Sequence, residues 1–183
     1  MFEMISILQE QAIWLSKFAA NLAASVDVSE EQAKQVFKAL LKAAGIFQFV
    51  QNSLLEQMPD QPVPGSDLDS RVCNAYANQC LAEAQEGKRL AKKRNIQQIF
   101  NLIKISIDTV TIARAIELKH SSQLIAGLCA EASRTFQKGT ISLKTMDSKG
   151  TKDSVVGKSA KWAKYLELKS RFYQAYVSLR AFL

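Results

Sequence analysis

Apolar residues recur at intervals of three and four along most of this 183-residue sequence, the spacing that places them on one face of an α-helix. The pattern is plain over 2–24 and again over 30–50. Ser29 and Gln32 stand where a capping box would begin the second of these helices. The periodic segments are rich in Ala, Leu, Lys, Glu and Gln, and the whole sequence holds only seven Gly and three Pro. We therefore expect an all-α fold.

Further helices are predicted after a Pro-rich loop. Ser66 or Asp67 can cap the third helix, whose many alanines suit tight packing between antiparallel helices. Another helix is expected after Ser121. Residues 139–158 are rich in Lys, Ser, Thr, Asp and Gly, which predicts a flexible loop. A last helix is expected from about Ser159 to the end of the sequence.

Two helix-forming stretches, 80–86 and 110–120, look like halves of one helical segment. The residues between them, 87–109, hold six Lys or Arg and one Asp, a net charge of +5 out of +7 for the whole chain. If 87–109 continued a single helix, it would separate the two halves by about 35 Å and rotate them by about 140°. We expect instead that 87–109 is an insert outside the core, as a loop or an added helix. The basic character is thus local and says little about partners.

Motifs for catalysis and metal binding are weak. Glu117 and His120 have the Glu-x-x-His spacing of di-iron bundles, but such a site needs a second copy and His120 is the only histidine. The three cysteines have no Cys-x-x-Cys spacing and suit buried positions in a reducing compartment. Neither a Gly-x-Ser-x-Gly elbow nor a phosphate-binding glycine loop is present. We expect no enzyme activity, metal, cofactor or small-molecule substrate.

The basic cluster inside the insert carries an alternative functional hypothesis. With the apolar residues behind it, the cluster forms a basic amphipathic segment over 88–107, which could bind nucleic acid or an anionic membrane. Aromatic residues do not alternate with the basic ones as base stacking requires, which argues against nucleic acid. The simpler alternative is an exposed segment without a binding role. The cluster consists of Lys88, Arg89, Lys92, Lys93 and Arg94.

The helix after Ser121 has two adjacent apolar lines. Ile125 and Cys129 belong to one line, and Leu124 and Leu128 form the other. Together they are wider than a helix with one buried face requires. The surplus pair, Leu124 and Leu128, is named the leucine line below. It indicates either ordinary core packing or a binding surface.

Five short pieces of the sequence are informative together. They are Lys42-Ala43-Ala44-Gly45-Ile46-Phe47; Asp67-Leu68-Asp69-Ser70-Arg71; Gln79-Cys80 with Ala82-Glu83-Ala84-Gln85-Glu86; 111–120; and Lys161-Trp162 with Lys164-Tyr165-Leu166, Leu168-Lys169 and Phe172-Tyr173. In order and spacing they resemble the Bro domain family, the ALIX-like adaptors of the ESCRT pathway, over most of the chain, which would make 1–183 the middle part of a Bro domain. The resemblance implies long antiparallel helices with a curved, tetratricopeptide-like solenoid core, and a non-catalytic adaptor.

The resemblance also implies a partner. In the family, an apolar groove on the concave face receives the amphipathic C-terminal helix of an ESCRT-III subunit of the charged multivesicular body protein 4 type. Carried over residue by residue, Leu124 and Leu128 match two apolar positions of the groove, and Thr111 matches a position where ALIX has an aromatic residue. A protein of this kind reaches membranes only indirectly, through ESCRT-III.

The sequence also departs from the family pattern. The family's first strands and helices and its last helices are absent, and 87–109 is additional. The last four residues lack the cysteine that prenylation needs, and neither a signal peptide nor an apolar stretch of about 20 residues is present. We expect a cytoplasmic protein, peripheral at membranes where ESCRT acts, such as the endosome and nuclear envelope. The third alternative is a truncated product without independent function.

Overall fold

The computed structural model describes residues 1–24, 29–59, 62–86, 112, 121–147 and 156–181. Within these ranges it contains five α-helices and no strand, which confirms the all-α prediction. One π-helical turn, Val50–Leu54, and one short 3-10 turn, Leu55–Gln57, extend the second helix. The helices are α1 Phe2–Ala24, α2 Glu30–Phe49, α3 Ser70–Glu86, α4 Ser122–Asp147 and α5 Val156–Ala181.

The helices pack in the order of the sequence, α1 on α2, α2 on α3, α3 on α4 and α4 on α5. The hydrogen bonds between α3 and α4 show their relative direction. Arg71, at the start of α3, donates to the carbonyl of Thr145 near the end of α4, at 3.0 Å. One turn further along α3, Asn74 accepts from Ser142, which lies earlier in α4, at 2.9 Å. Since residue numbers rise along one helix as they fall along the other, the two are antiparallel, as predicted.

Small side chains allow α3 to pack on both sides. Ala75 and Ala82 belong to the apolar cluster shared with α4 and α5, whereas Ala77, Cys80 and Ala84 belong to the cluster shared with α1 and α2. All five are buried. Because most of the buried side chains of α3 are small, it can hold a neighbouring helix close on each side.

The aromatic ring of Tyr76 joins the two clusters. It stacks on Phe47 of α2 with ring centroids 5.0 Å apart, and it contacts Trp162 of α5 at 4.4 Å. The Trp162 indole donates a hydrogen bond to Gln79 on α3 at 2.5 Å. A row of three rings thus crosses α3 and connects helices on opposite sides of it.

The N-terminal cap of α2 was predicted correctly from the sequence, and that of α3 was not. The capping box of Ser29 and Gln32 is confirmed, with both reciprocal hydrogen bonds present. At α3, however, the prediction of Ser66 or Asp67 is wrong. Asp69 is the cap, and its carboxylate accepts from the backbone N–H of Arg71 at 2.9 Å and from the guanidinium at 2.6 Å. Further upstream, a glycine with φ of 79° makes the turn that leads to this cap.

The prediction of a flexible loop over 139–158 is wrong at both ends of that range. α4 continues to Asp147, and α5 begins at Val156 instead of about Ser159. The polar composition was misleading because the stretch also supplies buried apolar residues, Leu143 and Met146. The Thr and Ser side chains fit within the helix because their hydroxyls donate to backbone carbonyls four residues earlier. Thr140 donates to Phe136 in this way, and Ser142 donates to Lys138. Residues 148–155 lie outside the described part of the chain.

Three helices meet at Gly139. A Cβ atom added there would lie 3.1 Å from Cδ1 of Leu166 on α5 and 3.6 Å from the carbonyl oxygen of Ala75 on α3. Leu166 and Ala75 are themselves fully buried. A side chain at this position would therefore push α3 and α5 away from α4.

We expect Gly139→Val to lower the free energy of unfolding by about 1–3 kcal/mol, because the added carbons overpack a closed contact. Gly45→Val is the matched control, since a Cβ there meets no atom within 4 Å. Its effect should be small, because valine has a helix propensity slightly better than that of glycine. Urea denaturation of both variants measures the difference, and equal losses at the two positions would contradict the close contact.

Asp69 gives a second prediction, on pH. Burial alone would raise the pKa of Asp69, but hydrogen bonds from the Arg71 side chain and from the N–H groups of Gly65 and Arg71 outweigh it and lower the pKa below its usual range. A carboxylate with a lowered folded pKa stabilises the fold above the unfolded pKa of about 3.9 and loses that effect as the pH falls through the folded value.

Asp69→Asn should therefore be less stable than the natural protein at pH 6, and the difference should shrink as the pH falls below about 4. Chemical denaturation at several pH values measures it. Asp67→Asn, an exposed aspartate two residues away, is the control and should show no such change. A gap between the natural protein and Asp69→Asn that is constant down to pH 2 would refute the role of this carboxylate.

Candidate functional site

The leucine line lies in the first two turns of α4. The hydroxyl of Ser121 accepts from the N–H of Leu124 at 3.3 Å and so caps the helix. Leu124 is 41% exposed, and Leu128 is half-buried against the apolar cluster of α3, α4 and α5. The side chains of the other apolar line are buried in the core, with Ile125 2% and Cys129 1% exposed. The structure thus separates the two apolar lines into an inner one that belongs to the core and an outer one that is partly open.

The backbone of α4 is also open at this surface. Gly127 lies between the two leucines and is exposed, and a Cβ atom added there would meet nothing within 4 Å. Because glycine has no side chain, another helix can approach the backbone of α4 closely at this point. The two leucines and this gap form a short apolar surface on a helix that the core holds in place.

The edge of α4 that carries Leu128 faces a row of side chains on α3. Leu128 and Ser142 are two heptads apart and share that edge. Ser142 bonds to Asn74 of α3, and Asn74 in turn donates to Gln51, just after α2, at 3.4 Å. By the antiparallel register of these bonds, Leu128 lies level with the end of α3. Leu128 of the leucine line therefore lies next to the C-terminal end of α3.

Gln85, which the sequence analysis did not single out, lies on the same edge of α3 as Asn74, three helical turns further on. Its side-chain oxygen is buried, and no described residue donates a hydrogen bond to it. A buried acceptor left unpaired costs about 1–3 kcal/mol. No sequence signal marks it, because a glutamine near the end of a helix is ordinarily hydrated.

Ile112 links the outer line to the second helix-forming stretch. It is buried in the same cluster as Ala82, Ile125 and Cys129. If residues 87–109 are left out of the count, Ile112 is the seventh residue after Ala82, as Ala82 is the seventh after Ala75. It therefore takes the next position of the row with which α3 faces α4. That the two stretches are halves of one helical segment stays a prediction.

Other predicted residues lie outside the described part of the chain. They include Thr111, the third groove position, and the insert 87–109 with its basic cluster. Glu117 and His120 are also outside it. The structure thus brings together two of the three predicted groove residues, Leu124 and Leu128, and leaves the rest as predictions. The outside basic residues are Lys88, Arg89, Lys92, Lys93 and Arg94.

The cysteine side chains are structural in character. Cys73, Cys80 and Cys129 are unbridged and buried. Burial, followed by the nearby charge of Glu83, raises the pKa of Cys80 to about 12, and burial also raises the pKa of Cys73. Thiols of this kind are protonated and poor nucleophiles at neutral pH. In the described ranges, no group of three or more His, Cys, Asp or Glu residues could hold a metal ion.

A second surface feature is a polar cleft of about 260 Å³ between α4 and α5. Its charged groups bind each other, since Glu167 accepts from Lys144 at 2.8 Å and from Arg171 at 2.6 Å. Little charge is left to attract a ligand. None of the described helices has an apolar stretch that could cross a membrane.

The chain is similar to known proteins over most of its length. The sequence profile of the BRO1-like domain matches residues 1–183. The chain is 39% identical over 175 residues to the BRO1 domain-containing protein BROX of Homo sapiens and 38% identical to that of Danio rerio. It is 33% identical to the BROX homolog of Caenorhabditis elegans. The alignments cover 96% of this chain and 34–35% of the relatives, so the chain spans about a third of their length.

The different burial of the two apolar lines leads to a prediction. Ile125→Ala should lower the free energy of unfolding by about 2–5 kcal/mol, because it leaves a cavity in the core. Leu124→Asp should change the free energy by less than about 1 kcal/mol, since the side chain is partly exposed and an acidic group near a helix N-terminus is favourable. Thermal and urea denaturation of the two variants measure this. A loss at Leu124 as large as that at Ile125 would place the leucine line in the core.

Proposed function

Because the chain belongs to the BRO1-like domain family, we propose that it is a non-catalytic adaptor of the ESCRT pathway that binds the C-terminal amphipathic helix of an ESCRT-III subunit. The proposed partner is of the charged multivesicular body protein 4 type. The binding surface is the leucine line, Leu124 and Leu128, with Thr111 as a further groove residue. Membranes of the endosome and nuclear envelope would be reached through this partner.

One observation carries the proposal: the side chain of Leu124 is exposed to solvent, although the next residue, Ile125, is buried in the core. An exposed leucine alone is ordinary on a protein surface. Here it is followed one turn later by a second leucine and lies on a helix whose inner face is locked by packing. Two anchors at helical spacing on a rigid support are what an apolar helix face needs for docking. The rigid support also reduces the entropy lost on binding.

The surroundings of the line suggest how a partner helix would be oriented. Gly127 permits close approach of the partner backbone between the two anchors. The apolar contacts of the two leucines would supply most of the affinity.

The test is a calorimetric titration of the ESCRT-III C-terminal helix peptide into the whole chain, which measures the dissociation constant. Leu124→Asp should weaken binding by at least about tenfold, because a charge replaces a central anchor. Leu168→Asp is the matched control, since Leu168 is an exposed leucine on α5, away from the leucine line. Its affinity should equal that of the natural chain. Unchanged binding in Leu124→Asp would show that the peptide does not use this surface.

A second variant separates binding from folding. Gly127→Leu should not destabilise the chain, because leucine is the better helix former by about 0.8 kcal/mol and the position is open. It should nevertheless weaken peptide binding by blocking the approach to α4. Full affinity in this variant would rule out close approach at Gly127. The alternative function, membrane or nucleic-acid binding through 88–107, concerns residues outside the described ranges, and no described residue favours it.

A further inference from the structure

The edge of α4 that carries the leucine line continues with charged side chains. Seven-residue steps from Leu124 lead to Glu131 and then to Lys138, and both are exposed. Lys138 is ten residues after Leu128, a distance of about 15 Å along the helix axis. Since α4 packs on α3 and on α5, the lysine and the leucine line are held on one supported helix. The leucine line is therefore the apolar end of a longer edge whose other end is charged.

The charges at the far end of this edge do not cancel. Glu131 accepts a hydrogen bond from Arg134 on the next turn at 2.8 Å, so its charge is compensated within α4. Lys138 follows Arg134 after one further turn. Among the described residues, no carboxylate pairs with its ammonium group. Two basic side chains and one acidic side chain therefore leave a net positive charge here.

The edge of α3 that faces Lys138 is uncharged. Ser142 of α4 donates to Asn74 of α3 at 2.9 Å, and the two helices are antiparallel. Lys138, one turn before Ser142, thus lies level with Asn78, one turn after Asn74. The Asn78 amide donates to the Asn74 side chain at 2.7 Å. From Asn78 to Gln85, the residues at helical spacing on this edge include no Asp or Glu. This part of α3 therefore does not compensate the lysine.

From the two leucines and the uncompensated lysine on one edge, we propose that the helix that binds the leucine line also carries an acidic side chain that pairs with Lys138. The inference rests on the proposed function, because it concerns the partner of the same surface. The acidic residue lies about ten residues from the nearer apolar anchor of the partner. The partner helix runs along α4, since only then does one straight helix reach both the leucine line and a side chain about 15 Å away.

The two parts of this surface do different things. The leucines supply most of the affinity, because apolar anchors at an interface centre contribute most to binding. The pair with Lys138 is exposed and contributes little affinity. It selects instead among amphipathic helices, since a partner with a basic side chain at the same place meets a like charge.

Four synthetic amphipathic helices test the proposal. All share the apolar anchors of the ESCRT-III C-terminal helix peptide. In two of them, the residues ten and eleven positions before the anchors are Glu or Gln, and in the other two the same choice is made after the anchors. Calorimetric titration into the whole chain measures the four dissociation constants. One of the Glu peptides should bind about threefold more tightly than its Gln version, and high salt should remove the difference. The Glu peptide that shows the preference reports the direction of the partner along α4.

Lys138→Glu should abolish or reverse the preference for the Glu peptide, because it replaces attraction by repulsion. Lys164→Glu is the matched control, since it makes the same change of net charge at an exposed lysine of α5. It should keep the preference, and circular dichroism checks that both variants are folded. A preference that survives in Lys138→Glu, or one that is lost equally in Lys164→Glu, would overturn the pairing with Lys138. Equal binding of Glu and Gln versions at both positions would overturn it as well.

Leu124→Asp separates this inference from the proposed function. If this variant weakens all four peptides while the natural chain binds Glu and Gln versions equally, the leucine line is a binding site and the role of Lys138 is wrong. If binding is the same in Leu124→Asp and in the natural chain, the proposed function itself is wrong. Absence of binding by all four peptides would overturn both.

Discussion

The position of α3 between two helix pairs is the constraint on which the rest of the structure depends. A helix with neighbours on both sides must offer each of them a closely packed face. Its alanines and cysteines do so on both faces, and the ring of Tyr76 then connects Phe47 on one side with Trp162 on the other. Tyr76 packs against both apolar clusters and so joins them directly. The placement of α4, and of everything α4 exposes, follows from α3.

The candidate binding surface is a by-product of that placement. α4 uses Ile125 and Cys129 for its contact with the core, and their burial fixes the rotation of the helix. Leu124 precedes Ile125 by one residue, so its side chain is rotated by about 100° from the inner line, and it is 41% exposed. Rigid support and apolar exposure thus arise together. The surface can bind a partner without first being ordered, which keeps the entropic cost of binding low.

Sequence reasoning succeeded where local chemistry decides the structure and failed where distant contacts decide it. The helical period and the capping box at Ser29 are local, and both were predicted. The cap at Asp69 depends on a glycine turn that aims an N–H at its carboxylate, and the helix through Leu143 depends on burial against other helices. In the same way, the surplus leucines were visible in the pattern, whereas Gln85 became notable only because its side-chain oxygen is buried and has no hydrogen-bond donor among the described residues.

The row formed by Ala75, Ala82 and Ile112 has a consequence for how such a chain can acquire new sequence. Ile112 is buried together with Ala75 and Ala82, in the register that the row would have if residues 87–109 were left out of the count. The entropic cost of closing a loop between two fixed ends grows only with the logarithm of its length. If residues 87–109 are an insert outside the core, as the sequence predicts, the length of the insert would therefore be nearly independent of the core. Its sequence could then change while the surface around Leu124 keeps its shape.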